Sequence, residues 1–224
     1  MHPAQRHPTL IAIIAVAVAV FLLTAVGAFS MNLEYAVVPI QVIQAWEAVT
    51  AGDVGGDTPS VLLTMVTALF LHGSPSHVIM NMALLWMFGS QTSLFLGKWW
   101  ALGLFFVCGI GGFVLHVILN RDSDIPCIGA SGAVMGFEGI YLGLILQWRL
   151  PWPDVWPLAH PVPPQQLGIF AAIGIGFDFW GLTQTGQSVA FGAHIGGFVT
   201  GLVIAIVITQ IYPSQNRWNH SGRA

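Results

Sequence analysis

Charge is what this chain lacks most. Only 7% of its 224 residues are Asp, Glu, Lys or Arg, while 55% are hydrophobic and the mean hydropathy is +0.77. A soluble domain carries about 25% charged residues, so the composition excludes one and indicates an integral membrane protein. The net charge of −3 is spread over loops, and the absence of any basic run excludes nucleic acid as a partner. Cysteine is scarce as well. Cys108 in an apolar run and Cys127 in a loop give neither a disulfide framework nor a metal-ligand spacing, so both are read as free thiols. No internal repeat is visible, and a transporter built from repeated halves would usually show one. Length is limited too: at about 20 residues per spanning helix, the chain holds one bundle of five to seven spans and no separate soluble domain.

What is present is a series of apolar runs with clear punctuation. Residues 10–29 form a first span, too long for a signal-peptide core of about 7–15 residues, and are read as an uncleaved anchor. A polar, acidic stretch follows. Residues 61–71 are apolar but too short to cross a bilayer, and are expected to lie in the interface or dip into the protein. Ser74 as N-cap and Pro75 at the first helical position open a second span over 76–95. The third is 99–119, the fourth 129–148, the fifth 167–182 and the sixth 189–211. Pro151, Pro153, Pro157, Pro161, Pro163 and Pro164 make the connection before the fifth non-helical. The prediction is an all-α, polytopic, six-transmembrane-helix bundle over residues 10–211, with tails 1–9 and 212–224. With both tails cytoplasmic, Arg6, Lys98, Arg149, Arg217 and Arg223 lie inside and Arg121 alone lies outside, as the positive-inside rule requires.

That orientation sends the second, fourth and sixth spans from outside to inside. His77 and Asn81 then fall in the first turns of the second, sharing one helix face at i and i+4. Ser131 opens the fourth, and His194 lies in the first turns of the sixth. Each has a bland explanation: a packing serine, a backbone-bonded histidine, an interhelical asparagine. Four such groups at one depth fit a hydrolytic site better, because intramembrane ionisable residues are functional by default. An imidazole can activate a serine hydroxyl, so His194 would be general base to Ser131. The Asn81 amide, the His77 ring and the Ser131 N–H would stabilise an oxyanion. No acidic third member is evident, so a dyad is expected. Gly132 with Gly136, and Gly197 with Gly201, are small-xxx-small pairs that would let the two helices meet closely.

His72 with His77-x-x-x-Asn81, Gly129-Ala130-Ser131-Gly132 and Ala193-His194-x-Gly196-Gly197 together resemble the rhomboid intramembrane serine proteases over about residues 60 to 210. The resemblance implies a six-helix core with a water-filled cavity open to the outside. It implies Ser131 as nucleophile, His194 as base, and Asn81 and His77 in the oxyanion hole. Substrates would be single-span membrane proteins in the lipid bilayer, cut in or near their transmembrane segments, with no metal or cofactor. Three features depart from the family pattern, one of them the absence of the Trp-Arg pair often found in the first loop. Met135 stands where an aromatic residue usually packs under the histidine, and Gly89-Ser90-Gln91-Thr92-Ser93 lacks the acidic residue often closing the second span.

Glu138 lies seven residues after Ser131, facing the same way and about 10.5 Å deeper at 1.5 Å per residue. It is a candidate internal water site, with a structural hydrogen bond as the plain alternative. Phe177, Phe179 and Trp180 are candidates for a substrate gate by the resemblance, and for interfacial anchoring by their chemistry. A catalytically silent rhomboid-like protein that binds membrane clients is the alternative function. No organellar targeting segment is visible, so a prokaryotic plasma or inner membrane is the expected location.

Overall fold

The computed structural model describes residues 7–27, 33–150, 152–158, 161–183 and 190–212. Most of the two expected tails therefore lies outside the described residues, as do residues 28 and 29 of the first expected span and 189 of the sixth. Among the described residues eight α-helices follow in order: α1 (Pro8–Ala25), α2 (Pro39–Thr50), α3 (Thr58–Thr67), α4 (Pro75–Leu96), α5 (Lys98–Leu119), α6 (Ser131–Gln147), α7 (Pro164–Gly181) and α8 (Phe191–Ile211). The fold is all-α, a polytopic helical membrane bundle. Of the described helices, α1, α4, α5 and α8 are long and apolar enough to cross a membrane, and α6 is a shorter apolar helix of 17 residues.

Local chemistry sets the helix ends. Ser74 is extended, and its hydroxyl accepts from the His77 N–H at 3.2 Å, with Pro75 in the first turn. The cap and the proline act where the sequence placed them, because both depend only on adjacent residues. The acidic stretch after α1, read as merely polar, contains a helix. In α2, Pro39, Val42 and Ala45 are buried while Gln41, Trp46 and Glu47 are exposed. The run 61–71 does dip into the protein: α3 tightens into a 3-10 turn at Ala68–Phe70, and Ala68 and Leu69 are fully buried.

Helix α6 is the axis of the bundle. Every residue from 132 to 141 is buried, which explains how a helix of 17 residues serves: protein, rather than lipid, covers its flanks. It meets α8 main chain to main chain. A methyl group on Gly197 would land on the Gly132 carbonyl oxygen, and one on Gly201 on that of Gly136. One on Gly139 would strike the Phe198 carbonyl oxygen. On the other flank, a Cβ on Gly112 of α5 would lie 2.5 Å from the Ala193 carbonyl oxygen. The small-residue faces thus bring three helices together at backbone distance, as transmembrane packing with little hydrophobic drive requires.

Candidate active site

The loop before α6 delivers Ser131. Gly129 has φ +118°, a region that favours glycine, and its N–H donates to the Ala68 carbonyl at 2.8 Å. That bond ties the buried turn after α3 to the start of α6. A side chain at 129 is also excluded by space: its Cβ would lie 2.8 Å from His77 Nε2 and 3.8 Å from Asn81 Nδ2. His77 and Asn81 of α4 therefore press on the strand of chain that leads into Ser131.

The N–H groups of Ser131, Gly132 and Ala133 open α6, where no intrahelical acceptor exists for them. Asn81 Nδ2 is buried with no hydrogen-bond partner among the described residues. A buried amide donor left unmatched is costly, and this one lies near His77 Nε2, both within 4 Å of where a Gly129 Cβ would stand. His72 backs His77 edge-on, with ring centroids 5.0 Å apart. Its Nδ1–H donates to the Phe70 carbonyl at 3.3 Å. Burial, then the neighbouring His77 charge, pushes the His72 pKa down to about 4, partly offset by the Phe70 bond. His72 is thus a neutral support, with its tautomer fixed by the main chain.

His194 comes from the first turn of α8. Ser131 and His194 flank a backbone contact: a Cβ on Gly132 would lie 3.1 Å from the carbonyl oxygen of Ala193. Among the described residues no Ser131–His194 hydrogen bond is formed, a common state of unliganded sites whose catalytic bonds tighten on substrate binding.

One polar partner of the imidazole has no local sequence signature. Asp178 Oδ1 lies 2.9 Å from His194 Nδ1, with side-chain exposures of 11% and 17%. A carboxylate only accepts, so the proton sits on Nδ1 and Nε2 is left as the accepting nitrogen. A carboxylate of α7 thus meets His194, where the sequence showed no acidic partner. Its signal lies instead in the phase of that helix: Gly168, Ala171, Ile175, Asp178 and Gly181 are among its buried residues, and an acid there demands a partner. Met135 lies in a small apolar cluster shared by α6, α7 and α8. It packs with Ile175, Ile195 and Phe198, and the Phe191 ring lies 6.3 Å from that of His194, edge-on.

Glu138 is 2% exposed and reaches toward α7, its Oε2 3.5 Å from where a Gly174 Cβ would stand. It lies one turn along α7 from Asp178 and within electrostatic reach of it. Phe177, Phe179 and Trp180 are 65%, 54% and 63% exposed and look away from the bundle. Cys108 and Cys127 are free and buried; burial raises the Cys127 thiol to about 12, so it stays protonated. Among the described residues no group of three or more His, Cys, Asp or Glu side chains could hold a metal ion.

Residues 59–211 match the family described as Rhomboid domain. Among curated relatives, the mitochondrial RHOMBOID-like protein 12 of Arabidopsis thaliana is 30% identical over 61% of this chain and 43% of its own. The mitochondrial Rhomboid protein 1 of Saccharomyces cerevisiae is 24% identical over 69% and 44% respectively. The mitochondrial Presenilin-associated rhomboid-like protein A of Danio rerio is 29% identical over 62% and 36%. The chain thus spans less than half the length of these relatives. They correct the expected location: similarity to proteins named as mitochondrial points to a mitochondrial membrane, not a prokaryotic plasma or inner membrane. The earlier expectation rested on an unseen targeting segment, and an absence of that kind carries no weight in a chain shorter than its relatives.

Proposed function

Because the chain belongs to the rhomboid family, we propose that it is an intramembrane serine endopeptidase acting on single-span membrane proteins. The observation that carries this reading is the convergence of α4, α6 and α8 on one point. The orphaned Asn81 amide and His77 lie against Gly129, and Gly132 touches Ala193 across the helix contact.

In this reading Ser131 Oγ bonds to the scissile carbonyl carbon as its proton passes to His194 Nε2. The imidazolium then gives that proton to the leaving amine nitrogen as the C–N bond breaks. Water, deprotonated by the same base, hydrolyses the acyl-enzyme and restores Ser131. The developing oxyanion is met by Asn81 Nδ2, His77 and the Ser131 N–H at the positive end of α6. The substrate must be locally unwound, since a regular helix keeps its carbonyls occupied. Phe177, Phe179 and Trp180 would form the lipid-facing flank past which the substrate enters.

A fluorophosphonate probe on the detergent-purified protein tests the reading. Labelling of the parent that is lost in Ser131→Ala and His194→Ala supports an activated serine. A folded parent that takes no label supports instead the silent, client-binding alternative. Asn81→Ala should lower kcat by about 10²- to 10³-fold, roughly 2.7–4 kcal/mol of transition-state stabilisation, with KM little changed. An equal kcat would remove Asn81 from the oxyanion hole. Glu138 would hold internal water that replenishes the site, and Glu138→Gln should then slow turnover. Turnover and Tm both unchanged would end that role.

A further inference from the structure

Asp178 breaks the pattern of its helix. The other buried residues of α7 are Pro164, Leu167, Gly168, Ala171, Ile175 and Gly181, and the neighbours Phe177, Phe179 and Trp180 face outward. An ionisable group turned inward at the end of an apolar stripe is placed there at a cost in burial, so its partner matters. That partner is His194 Nδ1, at 2.9 Å. The charged and titratable groups near the imidazole come from every helix around it: His77 on α4, His116 on α5, Asp178 on α7 and, a turn below Asp178, Glu138 on α6. Among the described residues Asp178 is the one that hydrogen-bonds the ring, and no Lys or Arg pairs with either carboxyl.

We infer that Asp178 is a positioning residue for the proteolytic site, acting through His194. The inference rests on the protease reading above. Asp178 fixes the Nδ1–H tautomer, so Nε2 is the nitrogen that accepts the Ser131 proton. It stops rotation of the ring about its side-chain bonds, and it places a negative charge beside the imidazolium that forms. It does not itself take the proton.

The test compares the full chain with Asp178→Asn, Asp178→Glu and Ser131→Ala, using protein labelled with 15N at histidine. The parent and Ser131→Ala should show His194 locked as the Nδ1–H tautomer, with a slowly exchanging ring N–H. Asp178→Asn should lose that signature, and its kcat should fall by about 10²- to 10⁴-fold with KM nearly unchanged. Asp178→Glu, which keeps the carboxylate, should regain part of both. An Asp178→Asn protein with the tautomer kept and kcat near the parent overturns the inference. So does one whose kcat falls only alongside a lowered Tm while the tautomer is kept. If the parent neither cleaves nor labels, the protease reading fails, and the tautomer comparison between Ser131→Ala and its Asp178→Asn double variant still decides what Asp178 does to His194.

Discussion

Ser131→Ala and His194→Ala are each expected to lower kcat by about 10⁶-fold, and the double variant by no more than either alone. The reason is that in the proposed mechanism the two side chains perform one step. A hydroxyl without its base is a weak nucleophile, and a base without the hydroxyl has no proton to take. Their neighbours Gly132 and Ala193 are in backbone contact, so neither residue can be replaced in its role from a distance. What survives should be catalysis by the oxyanion donors alone, about 10³- to 10⁴-fold over water. Losses that multiply in the double variant would mean that the residues act in separate steps, contrary to the proposal.

Gly197→Ala is expected to cost the upper end of the range of about 1–3 kcal/mol typical of overpacking, and Gly197→Val more. The added methyl would meet the Gly132 carbonyl oxygen, with the carbonyl carbon 2.6 Å away and Gly132 Cα 3.0 Å away. These are main-chain atoms with no rotamer to retreat into, so α6 and α8 must part. Because Gly132 follows Ser131, the same displacement would carry Ser131 away from His194, and under the proposed mechanism activity should fall further than stability explains. Gly176→Ala is the control. Its Cβ would meet nothing within 4 Å and its backbone has negative φ, so it should leave Tm unchanged or raise it slightly, alanine favouring a helix by about 1 kcal/mol over glycine. A thermal melt monitored by circular dichroism separates these outcomes. Equal melting of Gly197→Ala and Gly176→Ala would refute the close contact.

The parts of the fold that depend on neighbours in sequence were legible. The Ser74 cap, Pro75 and the limits of α4 follow from a few adjacent residues, and the small residues of α6 and α8 announce a close crossing. The fourth span was read from 129, yet α6 starts at Ser131, because Gly129 holds a positive φ that no hydropathy pattern reveals. Helix α2 was missed because Gln41, Gln44 and Glu47 dilute its apolar average, although Pro39, Val42 and Ala45 recur at a helical interval. The site divides in the same way. Ser131, His194, His77 and Asn81 sit in recognisable local patterns. Asp178 does not: its bond to His194 crosses sixteen residues and two helices, and its meaning depends on how α7 is rotated against α8.

The contact between α6 and α8 also decides where this protein can vary. Glycine has no side-chain torsions, so joining these helices freezes none, and the spacing is set by the main chain alone. The outward residues Val199, Val203, Ile206 and Val207 of α8 are about half exposed and take no part in that spacing. Bilayers differing in thickness or acyl composition can therefore be matched by exchanging this outer coat, while the distance from serine to histidine stays where the backbone has put it.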